Sequence, residues 1–367
     1  MKKTAVILLS ILTVFIFGIY LLSCFTPNIS PAVFWPITFL GLGFPILVII
    51  ALGCAAAWFI VNGRVALALV LLFLAGYKNI AAVFAFRLPS TFHLQKDSAT
   101  LRILDWNVRH FKNSNKNAES PAAERRGMIN YMREVDADII LMQEFQELRG
   151  PDYYSNINVL RDSLGYKYYY TSADQVFANN NSEFGSAIFS KLPIENAVRK
   201  QFLDLAIKES LSTVDVTYGG KKIRLATTHL VSLNLGEPPN KAEFFGRIDS
   251  DFILHSSQLE KLLHYDSIHG RQADFVRNVL DKSPYPLIMT GDLNSVPSSY
   301  VYHTIKGQLQ DAFIQKGSGF GRTYTGLFPT LRIDYIFVDQ QFKVLQYTCP
   351  KLFLSDHFPL VTDIKWK

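Results

Sequence analysis

The first 86 residues constrain this chain more than any other feature. Residues 4–24 read TAVILLSILTVFIFGIYLLSC without a charge, and residues 33–60 are again uncharged. A third apolar stretch, 65–86, is interrupted by Lys78 and Asn79 near its end. A helix needs about 20 apolar residues to cross a hydrocarbon core. The first two stretches meet that length, and the third does if the Lys78 ammonium extends to the interface. A cleaved leader would account for the Lys2-Lys3 start, but the run is long and no small-residue cleavage pattern is clear. The expectation is a transmembrane helical segment over residues 1–86, with about three spans at 4–24, 33–60 and 65–86.

Charge divides the chain in the same way. Residues 1–100 carry Lys2, Lys3, Arg64, Lys78, Arg87 and Lys96 against Asp97, a net of +5. Of the chain's 37 basic and 31 acidic residues, 31 and 30 remain beyond residue 100, a net of +1. The positive balance therefore sits on membrane flanks, where Lys and Arg set topology. A nucleic-acid-binding domain usually carries that charge on itself. With Lys2 and Lys3 inside and three crossings, the C-terminal part is expected on the opposite side from the N-terminus. That is the periplasmic or extracellular face of an inner or plasma membrane. The cysteines Cys24, Cys54 and Cys349 form neither a disulfide framework nor a zinc-ligand spacing.

Residues 87–100 read as a polar linker, and the texture changes at residue 101. LRILDWNV (101–108), DIILM (138–142), GSAIFS (185–190), IRLATTHL (223–230), YPLIMTGDLN (285–294) and RIDYIFV (332–338) are apolar strand patterns that carry or end in polar residues. Residues 121–135 have helical spacing with Pro121 at the start. Side chains at strand ends are held by a core while facing a cleft, so distant strands can deliver one polar site.

Taken singly, the candidate residues read blandly. Asn107 caps a strand end, Glu144 is solvated, and His229 is a satisfied histidine. Asp292 and Asn294 beside Gly291 make a turn. Asp334 caps a loop, and Asp356-His357 with Pro359 forms a polar loop. Together they suit phosphoryl chemistry. Hard cations such as Mg²⁺ take carboxylate and carbonyl oxygens, an Asp–His pair makes a positioned base, and further donors meet developing charge on oxygen.

The ordered set LDWNVR, QE, GSAIFSKLPI, TTHL, GDLN, RIDYIF and SDHFPL resembles the endonuclease/exonuclease/phosphatase superfamily over residues 101–367. That resemblance implies a four-layer α/β sandwich, two packed and mostly antiparallel mixed sheets flanked by helices. It implies that Asn107, Glu144 and Asp356 bind or support Mg²⁺ or Mn²⁺. It gives His229 to the phosphate and leaving oxygen, and Asp292 and Asn294 to orienting the nucleophile. Asp334 would hold His357 as general base. His229 and Arg109 stand where the abasic-site endonuclease branch has Asn and Asp, so the chain is more similar to the deoxyribonuclease I, lipid phosphatase and sphingomyelinase branch. The implied function is a membrane-anchored, metal-dependent hydrolase of a phosphate ester, with a lipid head group as a candidate substrate. A tethered nuclease is the alternative, and a non-catalytic scaffold on the same fold is the alternative of another class. A pure transporter is disfavoured, because the spans lack inward acidic or paired polar residues. Tyr168 to Tyr170 read as strand packing, and residues 234–269 as a decorated surface or a lid over the site. Oligomeric state is not legible.

Overall fold

The computed structural model describes residues 2–111, 121–148, 155–177, 182–202, 208–232, 258–326 and 330–367. Four helices come first: α1 (Lys2–Ser23), α2 (Ile37–Val61), α3 (Gly63–Phe73) and α4 (Tyr77–Val83). A single 3₁₀ turn, Leu74–Gly76, joins the last two into one rod over Gly63–Val83. The Tyr20 hydroxyl donates to the Phe73 carbonyl at 2.6 Å, and a Cβ on Gly76 would lie 2.1 Å from that hydroxyl. The third apolar stretch therefore tightens where α1 leans on it. Asn79 is buried, and its amide donates to the Ser23 and Cys24 carbonyls at 3.3 Å each, satisfying orphan acceptors at the end of α1.

Among the described residues, three helical rods are long and apolar enough to cross a membrane, at Lys3–Asn28, Ile37–Val61 and Gly63–Val83. Their inner faces meet around Phe17, Tyr20, Phe44, Ala55, Trp58 and Val83. Their outer faces leave Ile7, Leu8, Ile11, Val14, Phe15, Ile49, Phe59 and Leu67 exposed. Exposed apolar surface costs about 25 cal/mol per Å² in water. A contiguous band of this size is consistent with a membrane anchor.

Thirteen strands follow in the described residues. The first sheet contains β1 (Leu101–Asn107), β2 (Ile139–Leu148), β3 (Tyr168–Thr171), β4 (Gln175–Phe177), β5 (Ser182–Ser190), β12 (Phe342–Thr348) and β13 (Leu360–Trp366). Its order is β12-β13-β1-β2-β5-β3, with β4 also on β5. The second contains β6 (Ile194–Gln201), β7 (Ser210–Tyr218), β8 (Lys221–His229), β9 (Leu287–Asp292), β10 (Gln310–Asp311) and β11 (Asp334–Val338), in the order β10-β11-β9-β8-β7-β6. Only β1/β2 and β8/β9 pair in parallel, so both sheets are mixed and mostly antiparallel.

Strand alternation builds three apolar layers. Ile103, Ile139, Leu141 and Ile188 of the first sheet meet Val214, Leu225, Ile288 and Ile336 of the second. The opposite pleat of the first sheet, with Leu104, Trp106, Ile140 and Phe189, packs against Met128 and Met132 of α5 (Pro121–Val135). The outer pleat of the second, with Leu211, Met289 and Phe337, packs against helices Gln258–Leu280 and Tyr300–Lys306. The result is the expected helix–sheet–sheet–helix sandwich.

Residues 87–100 lie along the sandwich. The Arg102 guanidinium donates to the Leu94 and His93 carbonyls at 2.6 and 3.0 Å. Tyr169 stacks on Phe189 at 5.6 Å and Tyr170 packs on the inter-sheet core, so the tyrosine run serves strand packing. Of the segment 234–269, residues 234–257 lie outside the described residues, and the remainder begins the long helix.

Candidate active site

Register brings the polar strand ends together. His229 at the end of β8 is the cross-strand partner of Asp292 at the end of β9, and Asp292 is the partner of Asp334 at the start of β11. One row of the second sheet thus carries His229, Asp292 and Asp334. Close approach of β8 and β9 requires Gly291: a Cβ there would lie 2.0 Å from the Thr228 carbonyl oxygen. In the first sheet, Asn107 ends β1 beside Gln143 of β2. The next residue, Glu144, sits where the β2/β5 register slips, at φ +50°. A bulge of this kind re-aims a side chain, and here Glu144 turns toward the second sheet. The Asn107 amide donates to Glu144 Oε1 and to Asp292 Oδ2, at 3.1 Å each, and so links the two sheets.

His357 lies between Asp334 and Asp292. Its Nδ1 is 3.0 Å from both Asp334 oxygens, and its Nε2 faces Asp292 Oδ2 at 3.5 Å. The Trp106 indole donates to the His357 carbonyl at 2.9 Å, which locks the backbone. Tyr324 lies with its ring 4.8 Å from the imidazole. Burial alone would lower the His357 pKa, but Asp334 and Asp292 outweigh it and hold it well above the ordinary value.

His229 is built differently. Its Nδ1 lies 3.3 Å from Glu209 Oε1, and its Nε2 faces Asn294 Nδ2 at 3.3 Å, Asp292 at 3.6 Å and Glu144 at 3.8 Å. Burial lowers its pKa, against the opposing pull of the Asp292 carboxylate. Asn294 is fixed by two contacts. Its backbone N–H donates to Asp292 Oδ1 at 2.9 Å, and its amide donates to the Leu230 carbonyl at 2.9 Å.

The site holds more negative charge than it neutralises. Burial, then the Asp356 carboxylate, raises Glu144 to about 7, and burial, then Asp334, raises Asp292 to about 6. Burial and Asp174 push Glu209 well above the carboxylate range. Arg109 pairs with Asp356 at 3.2 Å, and His110 lies 3.6 Å from Glu144. Arg109, His110 and Phe111 are three successive residues with left-handed φ of 42° to 57°, a conformation that costs energy in residues other than glycine and concentrates at functional sites.

All eight anticipated residues, Asn107, Glu144, His229, Asp292, Asn294, Asp334, Asp356 and His357, fall at this end of the sandwich. An excess of buried carboxylates and an amide oxygen fits a hard divalent cation. Among the described residues, Asp292, Asp334 and His357 offer ligand atoms within 4.8 Å of one another. A cation among those three would displace the Asp334–His357 hydrogen bonds, whereas Glu144 and Asp292 converge on Asn107 with histidine nitrogens at 3.5 to 3.8 Å as their ionic partners. Glu209, His110 and Tyr324 join the site without a motif to announce them. Glu209 precedes β7, whose SLSTVDVTY alternation is the available signal.

Residues 106–357 match the family model described as Endonuclease/Exonuclease/phosphatase family. Residues 5–83 match a second model, described as a domain of unknown function (DUF8431). No curated protein matches the chain by sequence. Among solved structures, an endonuclease/exonuclease/phosphatase from Beutenbergia cavernae is 20% identical, with 73% of this chain and 72% of that one covered at a TM-score of 0.52. A family protein from Bacteroides thetaiotaomicron is 17% identical, with 73% and 98% covered and a TM-score of 0.50. D. rerio TDP2 complexed with single strand DNA product is 17% identical, with 73% and 100% covered, also at 0.50.

Proposed function

This chain belongs to the endonuclease/exonuclease/phosphatase family, and from that premise we propose that it is a membrane-anchored, divalent-metal-dependent hydrolase of phosphoric esters. The observation that carries this reading is the His357 arrangement. One nitrogen is held by Asp334 and the other faces a pocket edged by Asp292, Asn107 and Glu144.

Asp334 fixes the ring so that Nε2 is the nitrogen presented to a water molecule. That water attacks phosphorus and passes its proton to Nε2, while the bond from phosphorus to the leaving oxygen breaks. A diester and water give an alcohol and a phosphomonoester. Asn294 and His229 stand on the other side of Asp292, where their nitrogens meet charge gathering on the phosphoryl and leaving oxygens. The carboxyl of Glu209 orients His229 through Nδ1. Glu144, with Asn107, Asp356 and Asp292 beside it, would hold Mg²⁺ or Mn²⁺. When bound, that ion would supply Lewis acidity to a phosphoryl oxygen.

In this reading the protein sits in an inner or plasma membrane, and three helical rods long and apolar enough to span support its being anchored. Helix ends also support a catalytic face opposite the N-terminus. The end of α1, the start of α2 and the end of α4 all meet the sandwich, through Thr26–Ser298, Thr38–Asp266 and Ala82–Arg332. A tethered nuclease is the second reading, favoured by the single strand DNA product complexed with D. rerio TDP2. The net charge of +1 beyond residue 100 argues against it. A full-length preparation with Mg²⁺ or Mn²⁺, offered DNA, RNA, phospholipids, sphingomyelin, inositol phosphates and a generic soluble diester, separates these readings. Turnover of an ester by the wild type and its loss in Glu144→Gln are expected. Turnover undiminished in Glu144→Gln would overturn the assignment.

A further inference from the structure

Three chain segments that carry catalytic groups are each tied to the apolar helices. Asp334 lies two residues after Arg332, which is 1% exposed and whose Nη2 donates to the Ala82 carbonyl near the end of α4, at 2.6 Å. Asn294 lies four residues before Ser298, which is also buried. The Ser298 carbonyl accepts from Thr26 Oγ1 at 2.5 Å, and Ser298 Oγ donates to the Gly41 carbonyl at 2.8 Å. The segment after α1 and the second turn of α2 thus clamp the loop after β9. Between that loop and the start of α2 the free space is about 40 Å³, room for water molecules rather than for a ligand. The seam is a packed joint.

His229 is reached through the long helix Gln258–Leu280. Val231, two residues past His229, gives its carbonyl to His269 Nε2 at 2.6 Å and its N–H to Gln272 Oε1 at 3.2 Å. A carbonyl only accepts, so Nε2 carries a proton, and Nδ1 faces Asp266 Oδ1 at 3.6 Å. Asp266, His269 and Gln272 recur at every third residue and share one face of the helix. Thr38, in the first turn of α2, donates to Asp266 Oδ2. A Cβ on Gly270 would lie 2.7 Å from Ser30 Oγ, so this helix rests directly on the turn between α1 and α2. His269 is fully buried and takes no part in the hydrolysis described above. A buried polar ring is costly unless it is bonded, and the bond here goes to the backbone that carries His229.

We propose that the start of α2 and the helix face Asp266–His269–Gln272 form a positioning element for the active site, so that the apolar helices set the placement of His229 and Asn294 as well as the location of the protein. His229 and Asn294 stand 3.3 Å apart on segments that the joint holds separately. A catalytic group keeps its geometry only when its supports are themselves locked, and a displacement of about 1 Å can cost about 10²-fold in rate. Thr38 and His269 are positioning residues, and neither touches the reacting atoms. The expected effect on rate rests on the hydrolase reading above, while the expected effect on structure stands without it.

The test uses full-length protein in phosphatidylcholine discs with Mn²⁺ and a soluble diester. In His269→Leu, kcat per folded molecule is expected to fall roughly 10- to 100-fold with KM unchanged. Thr38→Val is expected to lower kcat by a smaller factor, and it keeps the test decisive where His269→Leu unfolds. His269→Gln keeps an N–H for the Val231 carbonyl and Thr38→Ser keeps the hydroxyl, so both are expected to restore most of the rate. Hydrogen exchange of the Val231 amide reads the same link without turnover. It is expected to speed at least about tenfold in His269→Leu and in Thr38→Val, and to return toward the wild-type rate in the Gln and Ser variants. A kcat per folded molecule equal to wild type in both disruptive variants, a change confined to KM, unchanged exchange at Val231, or equal losses in His269→Gln and His269→Leu would each overturn the proposal. Absence of diester turnover by the wild type would instead overturn the hydrolase reading, and exchange at Val231 would then decide the positioning role alone.

Discussion

The two ends of β1 treat buried charge in opposite ways. At its start, Arg102 is 1% exposed, and its Nε and Nη2 bond both oxygens of Asp363 at 2.7 and 2.8 Å. Its remaining donors reach the carbonyls of Leu94, Val135 and His93 at 2.6 to 3.0 Å. At its other end, roughly 16 Å away at 3.3 Å per residue, Asn107 faces Glu144 and Asp292, whose pKa values are driven up. The first end is electrically complete and holds the fold. The second spends stability on charge that only a cation, a proton or a substrate completes. Strained or perturbed groups cluster at sites of chemistry, and a single strand here shows both regimes.

Substitutions at the two ends sharpen this contrast. His357→Ala is expected to lower turnover of the soluble diester by roughly 10³- to 10⁴-fold, the upper part of the range for a positioned base, with a smaller loss of stability than a substitution at Asp363. Asp363→Ala leaves Arg102 buried without its carboxylate and is expected to cost about 3–5 kcal/mol of stability. Denaturant unfolding measures that loss, and turnover per folded molecule stays as in the wild type. Equal effects of the two substitutions on stability would break the comparison.

The pH dependence of stability also separates the ends. Glu144 is raised from 4.5 to about 7 and Asp292 from 3.8 to about 6. Between those limits the folded state binds more protons than the unfolded one, so metal-free protein is expected to lose stability as pH rises from about 4 to 7. His357, raised from 6.5, adds a loss of the same sign above about pH 6.5, while the lowered His229 and His303 oppose the slope below it. Mn²⁺ is expected to flatten the slope, because a cation replaces the protons. Thermal unfolding across that window, with Mn²⁺ and with EDTA, checks this. The smallest effect is expected at the exposed Lys222–Glu195 pair, 2.7 Å apart. Lys222→Ala is expected to leave the denaturation midpoint as in the wild type.

Much of the fold and the site is legible in the chain because the features are local. Apolar runs longer than a bilayer is thick specify the helices, although the break at Gly76 depends on Tyr20, 56 residues earlier. DWN and GDLN each place a side chain at a strand end, SDH lies in the loop before β13, and register then brings His229, Asp292 and Asp334 into one row. The polar residues outside the ordered motifs stay hidden. Glu209 follows no motif, and its meaning comes from lying 3.3 Å from His229. Strands β6, β12 and β13 read weakly because charged side chains interrupt their apolar residues, and β7 because the buried Ser210, Ser212, Thr213 and Asp215 interrupt its own. The bulge that turns Glu144 inward is a property of pairing with β5 and has no signature in QEFQ.

The central claim is that Glu144, with Asn107 and Asp292 beside it, holds a divalent cation. Titration of the metal-free, full-length protein with Mn²⁺, followed by electron paramagnetic resonance, tests it most directly. The account predicts saturable binding in the wild type and in Asp363→Asn, and its loss in Glu144→Gln. Binding of the same strength in Glu144→Gln as in the wild type would contradict it.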